Sequence, residues 1–168
     1  RSRFSCKHDT LLWYAPHGKP FFNPDPVRQP YLKSSGYARS GIRSANGKRY
    51  LPDPRGTPPD DVWNIPIINP MSSERVGWPT QKPLALLERL ILALTEPQAL
   101  VADFMCGSGT TLVAAAVHGR RWVGGDRSPE ALRCAQTRLA ACCKAQIEVL
   151  ACDTMNDTKI PKEDDENV

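Results

Sequence analysis

Residues 99–111, ALVADFMCGSGTT, give the clearest indication of fold class in this chain of 168 residues. Residues 99–103 form a short apolar run that ends in Asp103, as expected for a buried strand. A turn with two glycines follows at once, and a helix is predicted over residues 110–118, with Gly119 as its C-terminal cap. A strand that leads through a glycine turn into a helix predicts an α/β protein.

The segments before and after this stretch continue the alternation of helices and strands. Upstream, Pro83 suits the first turn of a helix. Four apolar residues then recur at helical spacing: Leu84, Leu87, Ile91 and Leu94. Downstream, the short apolar run of residues 122–125 predicts a second strand, which ends at Asp126.

The C-terminal third of the chain extends the same pattern. Ser128 and Pro129 supply an N-cap and a first helical residue for a helix that reaches about Lys144. Residues 146–151 then alternate as a third strand. This order of elements predicts a parallel sheet with right-handed crossovers and flanking helices.

The glycine turn is the predicted ligand site. Ligands of open parallel sheets bind beyond the carboxyl ends of the strands. Gly107 and Gly109 let the backbone approach a ligand closely, and the helix behind them offers unpaired amide hydrogens. Asp126 ends the next strand, where a carboxylate can accept hydrogen bonds from ribose hydroxyls. Together these features predict an adenosine-type cofactor.

The details of the turn favour one such cofactor. Leu112 stands where the dinucleotide-binding pattern has its third glycine, which argues against a nicotinamide cofactor. The turn also lacks the Gly-Lys-Ser/Thr ending of a phosphate-binding loop. Asp103 would repel a pyrophosphate but could hold a cationic amino acid moiety. S-adenosylmethionine, which has an ammonium, a sulfonium and no phosphate, fits all three observations.

Two motifs in the same order resemble a known family. The stretch DFMCGSGTT, residues 103–111, resembles the cofactor loop of the amino-methylating DNA methyltransferases, with Met105 in place of the usual Phe. Residues 61–66, Glu74-Arg75 and residues 78–83 resemble the segment that precedes this loop in the family. The resemblance covers roughly residues 61–151 and, more loosely, residues 4–14. It points to the permuted, beta-type members, which are specific for adenine N6 or cytosine N4.

The resemblance implies a Rossmann-like, S-adenosylmethionine-dependent methyltransferase fold with a partial parallel sheet and an irregular basic N-terminal segment. In the family the Thr-Gln-Lys-Pro stretch lines the methionine end of the cofactor. For Asp153, a cofactor contact and a turn-forming role are equally compatible with the sequence. The expected cofactor contacts are Thr80, Gln81, Lys82, Pro83, Asp103, Phe104, Met105, Cys106, Gly107, Ser108, Gly109, Thr110, Thr111, Asp126, Arg127 and Asp153.

The resemblance also implies a division of the chain into segments. Residues 1–15 would end the strand region of the catalytic half, and the composition of residues 10–14 (TLLWY) by itself predicts a short, mostly buried strand there. Residues 16–60, rich in proline, would be a long basic loop for target recognition. Residues 61–160 would form the cofactor-binding half-domain, and residues 161–168 an acidic, disordered tail.

The catalytic signature of the family is not found in the sequence. That signature is an Asp, Asn or Ser followed by Pro-Pro and an aromatic residue, whereas Pro58-Pro59 is followed by Asp60. In the permuted class the catalytic half comes first, so we expect it upstream of Arg1. On this view the chain is the C-terminal fragment of a site-specific DNA methyltransferase of a prokaryotic restriction-modification type, inactive alone, with adenine favoured over cytosine as its target.

Basic charge is concentrated near the N-terminus. Residues 1–56 hold eleven Lys or Arg against three Asp or Glu. With interleaved tyrosines, such a segment can neutralise the phosphates of double-stranded DNA, although a solvated, poorly ordered loop explains the charge equally well. The predicted phosphate contacts are Arg28, Lys33, Arg39, Arg43, Lys48, Arg49 and Arg55.

Other features are less informative. No signal peptide or membrane span is found, so a cytoplasmic protein without a membrane partner is expected. The six cysteines form no C-x-x-C pair, which favours buried free thiols over metal ligands or disulfides. The three histidines show no pattern of partners for metal binding or nucleophilic catalysis, so no catalytic role is predicted for them. The partners considered are DNA, the missing catalytic half and a second copy of the chain. A non-catalytic DNA-binding or assembly module and an RNA methyltransferase fragment remain as alternative functions.

Overall fold

The computed structural model describes residues 7–16, 18–143 and 147–149. Within them lie four α-helices, four strands and one 3-10 helix. The N-terminal part holds the 3-10 helix Asp25–Val27, α1 (Gly36–Ser40), β1 (Ile42–Arg43) and β2 (Arg49–Tyr50). The C-terminal part is an α/β unit with α2 (Leu84–Leu94), β3 (Leu100–Asp103), α3 (Thr110–Val117), β4 (Arg121–Gly124) and α4 (Pro129–Cys142).

The α/β unit is built on a parallel pair of strands. Strands β3 and β4 pair in register from Leu100 with Arg121 to Asp103 with Gly124. Two of the three predicted strands and all three predicted helices of this unit are confirmed, with ends that shift by one or two residues. Because parallel strands end at the same edge of a sheet, Asp103, the last residue of β3, and Asp126, two residues after β4, lie close to one glycine turn.

Helix α3 is the centre of the core. It packs against α2, α4 and both strands. Its small and aliphatic residues Leu112, Val113, Ala114 and Ala115 are buried. Helix α4 contributes Ala135 and Leu139, and α2 contributes Ile91, which explains the helical spacing of apolar residues in both segments.

Close packing between α3 and β4 depends on Gly124. A Cβ atom at this position would lie 2.3 Å from Cδ1 of Leu112. In the dinucleotide-binding pattern the helix itself carries the glycine that lets helix and strand approach each other. Here the larger residue, Leu112, is on the helix and the glycine, Gly124, is on the strand. The close contact between helix and strand is therefore made with the glycine on the opposite element.

One face of the parallel pair is uncovered in the part of the chain that the structure describes. Val101 and Trp122 point toward the helices and pack on the core around α3. Leu100 and Val123, on the opposite face, are 58% and 40% exposed. Parallel sheets are normally covered on both faces, so this exposed apolar face is unusual for the fold.

Two predicted strands are absent where the structure describes them. Residues 10–14 form no strand and are exposed, because no neighbouring element within residues 7–16, 18–143 and 147–149 pairs with them. The prediction of a mostly buried strand was therefore wrong for this structure. Of the predicted third strand, residues 147–149 are irregular and the others lie outside the described residues. Asp153 and the tail of residues 161–168 also lie outside them.

The segment of residues 16–60 is more ordered than a long loop. Strands β1 and β2 form a short antiparallel hairpin next to α1. The base of this hairpin region is closed by an isolated bridge between Gln29 and Thr57. We call residues 29–57 the basic lobe. These elements are only two to five residues long, which is why no periodicity in the sequence predicted them.

Four charged residues hold the base of the basic lobe. Asp25 lies 2.8 Å from Arg28 and 2.6 Å from Arg55, and Asp53 lies 2.8 Å from Arg55. Arg28 also donates a hydrogen bond of 2.7 Å to the carbonyl of Gly56. The hydrogen bonds from Arg55 lower the pKa of Asp53 to about 2. The cluster thus closes the lobe through side chains as well as through the backbone bridge.

The cysteine prediction was correct only in part. Cys106, Cys134, Cys142 and Cys143 are free, but only Cys106 is buried. Cys134 and Cys142 lie on α4 and Cys143 caps it, on sides of the helix that the core covers only partly. Cys6 and Cys152 lie outside the described residues. Within the described part of the chain, no helix is long and apolar enough to cross a membrane.

Candidate active site: a cofactor turn between two strand ends

The glycine turn is held between the ends of β3 and β4 by backbone hydrogen bonds. The amide of Gly125 donates to the carbonyl of Asp103 at 2.9 Å, and the amide of Cys106 donates to the carbonyl of Gly125 at 2.9 Å. The carboxylate of Asp103 accepts from the amide of Met105 at 3.1 Å. These bonds bend the chain sharply where it leaves β3, so that residues 105–108 of the turn face a cavity.

Asp126 ties the turn to the start of α4. Its Oδ2 atom accepts a hydrogen bond of 2.8 Å from the amide of Gly107, and its Oδ1 atom accepts one of 2.9 Å from the amide of Ser128. The bonds from Ser128 and Gly107 lower the pKa of Asp126 below its usual value. A carboxylate offers about four lone-pair sites, so each oxygen retains capacity for a further donor.

The turn requires glycine at Gly109. This residue has φ of 75° and caps the N-terminus of α3. A Cβ atom there would lie 2.6 Å from the Cβ of Ala135 on α4. Glycine is therefore needed both for the left-handed backbone and for the contact between the turn and α4.

A cavity of about 250 Å³ lies against the turn. The turn and the start of α3 form one wall, with Ser108 and Thr110 buried at 3% and 4% exposure. The segment before α2 forms the opposite wall. The lining residues are Trp78, Thr80, Lys82, Leu87, Asp103, Met105, Cys106, Gly107, Ser108, Thr110 and Thr111.

Backbone donors are available at this wall. Within the described residues, the amides of Ser108, Thr110 and Thr111 donate to no other protein atom. Such unpaired amides at a helix N-terminus can donate to an oxygen of a ligand. Together with the carboxylate of Asp103, they give the cavity hydrogen-bond donors and a negative charge within a few residues of each other.

The cysteine of the turn is in its neutral thiol form. Burial raises the pKa of the Cys106 thiol to about 11, and the nearby carboxylates of Asp103 and Asp126 contribute to the increase. A thiolate is the nucleophilic form of cysteine. Cys106 therefore contributes a neutral, apolar surface to the cavity.

The segment before α2 is fixed by its own side chains. Gln81 donates from Nε2 to the carbonyl of Glu74 at 2.7 Å and accepts at Oε1 from the amide of Val76 at 3.0 Å. The carboxylate of Glu74 accepts from the amide of Leu84 at 2.7 Å, at the start of α2. Gln81, which the sequence predicted to contact the cofactor, thus bonds its own segment and does not line the cavity.

The structure brings nine of the predicted cofactor residues to the cavity: Thr80, Lys82, Asp103, Met105, Cys106, Gly107, Ser108, Thr110 and Thr111. Gln81, Pro83, Phe104, Gly109, Asp126 and Arg127 do not line it. Lys82 also lies 3.5 Å from Asp9, both side chains being exposed. The roles of all these residues toward a cofactor remain predictions.

Two lining residues were not predicted from the sequence. Nε1 of Trp78 would lie 3.1 Å from a Cβ atom at Gly107, so the indole closes the cavity beside the turn. Trp78 lies two residues before Thr80 in the same motif, and this proximity could have predicted that it lines the cavity. Leu87 was assigned to the apolar face of α2; it packs against the core and also lines the cavity.

The predicted phosphate-contacting residues divide into two groups. Arg28 and Arg55 belong to the charged cluster at the base of the basic lobe, and the side chain of Arg28 is only 14% exposed. The sequence gave no indication that Asp25, thirty positions before Arg55, lies beside it. The other five lie on the exposed part of the lobe: Lys33, Arg39, Arg43, Lys48 and Arg49.

Two of these five residues have contacts within the lobe. Arg49 donates to the carbonyl of Ser40 at 2.8 Å and 3.2 Å, and the Nζ atom of Lys48 lies 5.3 Å from the centre of the Tyr50 ring. Neither contact uses an acidic group. Among the described residues, no group of three or more His, Cys, Asp or Glu side chains is placed to hold a metal ion.

Comparison with known proteins assigns the family. The sequence model of a family described as DNA methylase, for N6 and N4 methylation, matches residues 1–137. The chain belongs to this family. The match includes the basic lobe, both walls of the cavity and most of α4.

Individual relatives agree with this assignment. The type II methyltransferase M1.MboII of Moraxella bovis is 33% identical over 136 residues, which cover 76% of this chain and 52% of that protein. M.HpaI of Haemophilus parainfluenzae is 34% identical over 137 residues, which cover 81% and 39%. The chain therefore spans about half the length, or less, of these curated relatives.

A solved structure of a complex of M1.HpyAVI with SAM is also similar. It is 30% identical with a TM-score of 0.41, and the match covers 60% of this chain and 43% of that chain.

Proposed function

We propose that this chain is the cofactor-binding part of a DNA methyltransferase that transfers a methyl group from S-adenosylmethionine to an exocyclic amino group of a DNA base. The observation that carries the proposal is the cavity at the glycine turn, placed between Asp103 and the start of α3 in a member of the DNA methylase family. A similar solved structure is a complex with SAM.

The residues present suit this cofactor. Asp103 supplies a negative charge for the ammonium group, and the amides of Ser108, Thr110 and Thr111 supply donors for an oxygen of the amino acid moiety. Trp78, Leu87 and Met105 give the cavity apolar surface for the rest of the molecule. When bound, S-adenosylmethionine supplies a methyl group on a positively charged sulfur.

Asp126 is proposed to hold the ribose. Its carboxylate is fixed by Gly107 and Ser128, and the lowered pKa keeps it ionised. It does not line the cavity in this structure, but it lies directly behind Gly107, which does. The two ribose hydroxyl groups would donate to the lone pairs of the Asp126 carboxylate that the amides of Gly107 and Ser128 do not use.

Methyl transfer also needs groups that the sequence does not contain. The lone pair of an exocyclic amine of adenine or cytosine is delocalised into the ring, so the amine is a weak nucleophile. A group that accepts its hydrogens and an aromatic side chain that stacks on the flipped base are needed to present it in line. Since no Asp/Asn/Ser-Pro-Pro-aromatic motif is present, we propose that a separate catalytic half supplies these groups.

The uncovered face of the sheet supports this division. Leu100 and Val123 expose apolar side chains on a parallel sheet, and Leu11, Leu12 and Trp13 expose others on the irregular N-terminal segment. Burying apolar surface of this kind would stabilise an association by roughly 25 cal/mol per Å² before the costs of binding. A catalytic half that adds strands and helices here would complete the two-layer covering that parallel sheets require.

We favour adenine as the target. A relative named DNA adenine methyltransferase YhdJ, from Escherichia coli strain K12, is 37% identical over 93 residues, which cover 55% of this chain and 32% of that protein. The non-catalytic module is a second candidate, because the missing motif is compatible with a chain that binds DNA and cofactor without turnover.

A methyl-transfer assay tests the proposal. The chain of 168 residues alone should transfer no labelled methyl group from S-adenosylmethionine to DNA, and adding a catalytic half that carries the Pro-Pro motif should restore transfer. Transfer by the chain alone would show that its catalytic group has been overlooked. Binding of DNA and cofactor with no transfer by the combined halves would favour the non-catalytic module.

The basic lobe is proposed to contact DNA phosphates. Replacing Arg43, Lys48 and Arg49 together by Ala should flatten the slope of log affinity for DNA against log salt by about 2 to 3 units, since each phosphate contact adds about 0.9. Fluorescence anisotropy of a labelled duplex over a salt series measures this slope.

A charge-matched control separates specific contacts from net charge. Arg75, Arg121 and Arg133 are exposed and lie outside the lobe, so their joint replacement by Ala should leave the slope nearly unchanged. Equal slopes for the wild type and the lobe variant would mean that the lobe is solvated in the DNA complex.

A further inference from the structure

We infer that Arg138, on α4, is a positioning residue for the cofactor turn. The inference rests on the proposed function, because it assumes that S-adenosylmethionine binds in the cavity at this turn. Arg138 lies outside the residues that line the cavity. It would therefore act on binding through the residues that it holds.

The guanidinium group of Arg138 contacts three oxygens of the turn. Its Nη1 atom lies 2.8 Å from the carbonyl oxygen of Ser108, 3.2 Å from Oγ of Ser108 and 2.9 Å from Oγ1 of Thr110. Ser108 and Thr110 are both buried cavity residues. One charged nitrogen thus shares its hydrogens among three acceptors on the wall that carries the free amides.

These bonds fix the peptide between Ser108 and Gly109 at both ends. Its carbonyl accepts from Arg138, and its amide donates to the carbonyl of Cys106 at 2.7 Å. In a regular helix the Ser108 carbonyl would accept from the amide of Leu112, but here Arg138 takes that carbonyl. The orientation of this peptide determines where the backbone donors of the turn point, so Arg138 sets the geometry of the donors.

A second contact of α4 shows why the arginine is placed there. Ala135, one helical turn before Arg138, packs directly against Gly109. The turn is thus held from the α4 side by an apolar contact and by charged hydrogen bonds three residues apart. Hydrogen bonds from a charged donor are stronger than neutral ones, which suits a loop that must keep two left-handed glycines in place.

The test compares cofactor affinity with stability. In the complete natural protein, Arg138→Met should weaken binding of S-adenosylmethionine, measured by calorimetry, by about ten-fold or more. Arg138→Lys should recover part of the loss, since a lysine keeps the charge but lacks the planar group. Arg133→Met is the matched control, because Arg133 lies on the same helix, is exposed and, among the described residues, forms an ion pair with Glu130 alone.

A double-mutant cycle with Thr110→Val gives a readout that a purely structural role would not change. If Arg138 acts through the turn, the effects of Arg138→Met and Thr110→Val on affinity should be clearly less than additive. A lower melting temperature with wild-type affinity in the folded variant would overturn the inference. If Arg138→Met does not fold, the affinities of Arg138→Lys and Thr110→Val for S-adenosylmethionine test the inference instead. Wild-type affinity in both variants would also overturn the inference.

The wild-type titration separates the two proposals. If the wild type binds no S-adenosylmethionine, the proposed function fails. If the wild type binds and the Arg138 variants bind equally well, only the inference about Arg138 fails.

Discussion

Gly109→Ala should abolish cofactor binding and strongly destabilise the α/β unit. The new Cβ atom would have to fit 2.6 Å from the Cβ of Ala135, and the residue would keep an unfavourable φ of 75°. The left-handed backbone and the overpacking together should cost roughly 2–5 kcal/mol of the free energy of unfolding. Relief of the clash requires the turn or α4 to move, which displaces the amides at the cavity. Denaturant unfolding and calorimetry measure the two effects.

Gly119→Ala is the matched control for backbone strain. Gly119 also has a positive φ, of 68°, but a Cβ atom there would have no neighbour within 4 Å. The variant should lose only about 1–2 kcal/mol, the cost of the left-handed backbone, and should keep its cofactor affinity. Equal losses of stability in the two variants would contradict the close contact between the turn and α4.

Asp126→Ala should weaken the binding of S-adenosylmethionine by roughly 1.5–3 kcal/mol, or about ten- to one-hundred-fold. The substitution removes the proposed acceptor for the ribose hydroxyls and leaves the amides of Gly107 and Ser128 without their partner. The turn and the start of α4 should therefore also loosen, which thermal unfolding would register.

Two further variants separate the ribose contact from the support of the turn. Asp126→Asn keeps one oxygen acceptor, so its affinity should lie between those of the wild type and the alanine variant. Ser128→Ala removes the hydroxyl that caps α4 but keeps the amide bonded to Asp126. It should lower stability by about 1 kcal/mol and leave affinity nearly unchanged. Wild-type affinity in Asp126→Ala would reject the assignment of Asp126.

The sequence predicted the α/β unit well because its signals are local. The apolar run before Asp103, the spacing of leucines in α2 and the Ser128-Pro129 start of α4 each act within one element. The side chain of Ser128 does accept from the amide of Ala131, as an N-cap should. Residues 10–14 were predicted as a buried strand from composition alone. Burial of such a segment depends on another element that packs against it, and the composition of the segment gives no information about that element.

The parts of the site that were missed depend on contacts between distant segments. Arg138 reaches Ser108 across thirty positions of the chain, and Asp25 reaches Arg55 across thirty. Trp78 and Leu87 become cavity residues only because α2 packs beside the turn. Spacing rules apply within a helix or a strand, so they could place Asp103 and Gly109 but gave no sign of these four contacts.

Whether the chain binds S-adenosylmethionine is the decisive measurement for the proposed cofactor site. Isothermal titration of the folded chain should give one site for S-adenosylmethionine, with competition by its demethylated product and no heat from NAD. Tight binding of NAD, or no binding of S-adenosylmethionine to a chain whose circular dichroism shows a folded α/β unit, would contradict the assignment of this cofactor.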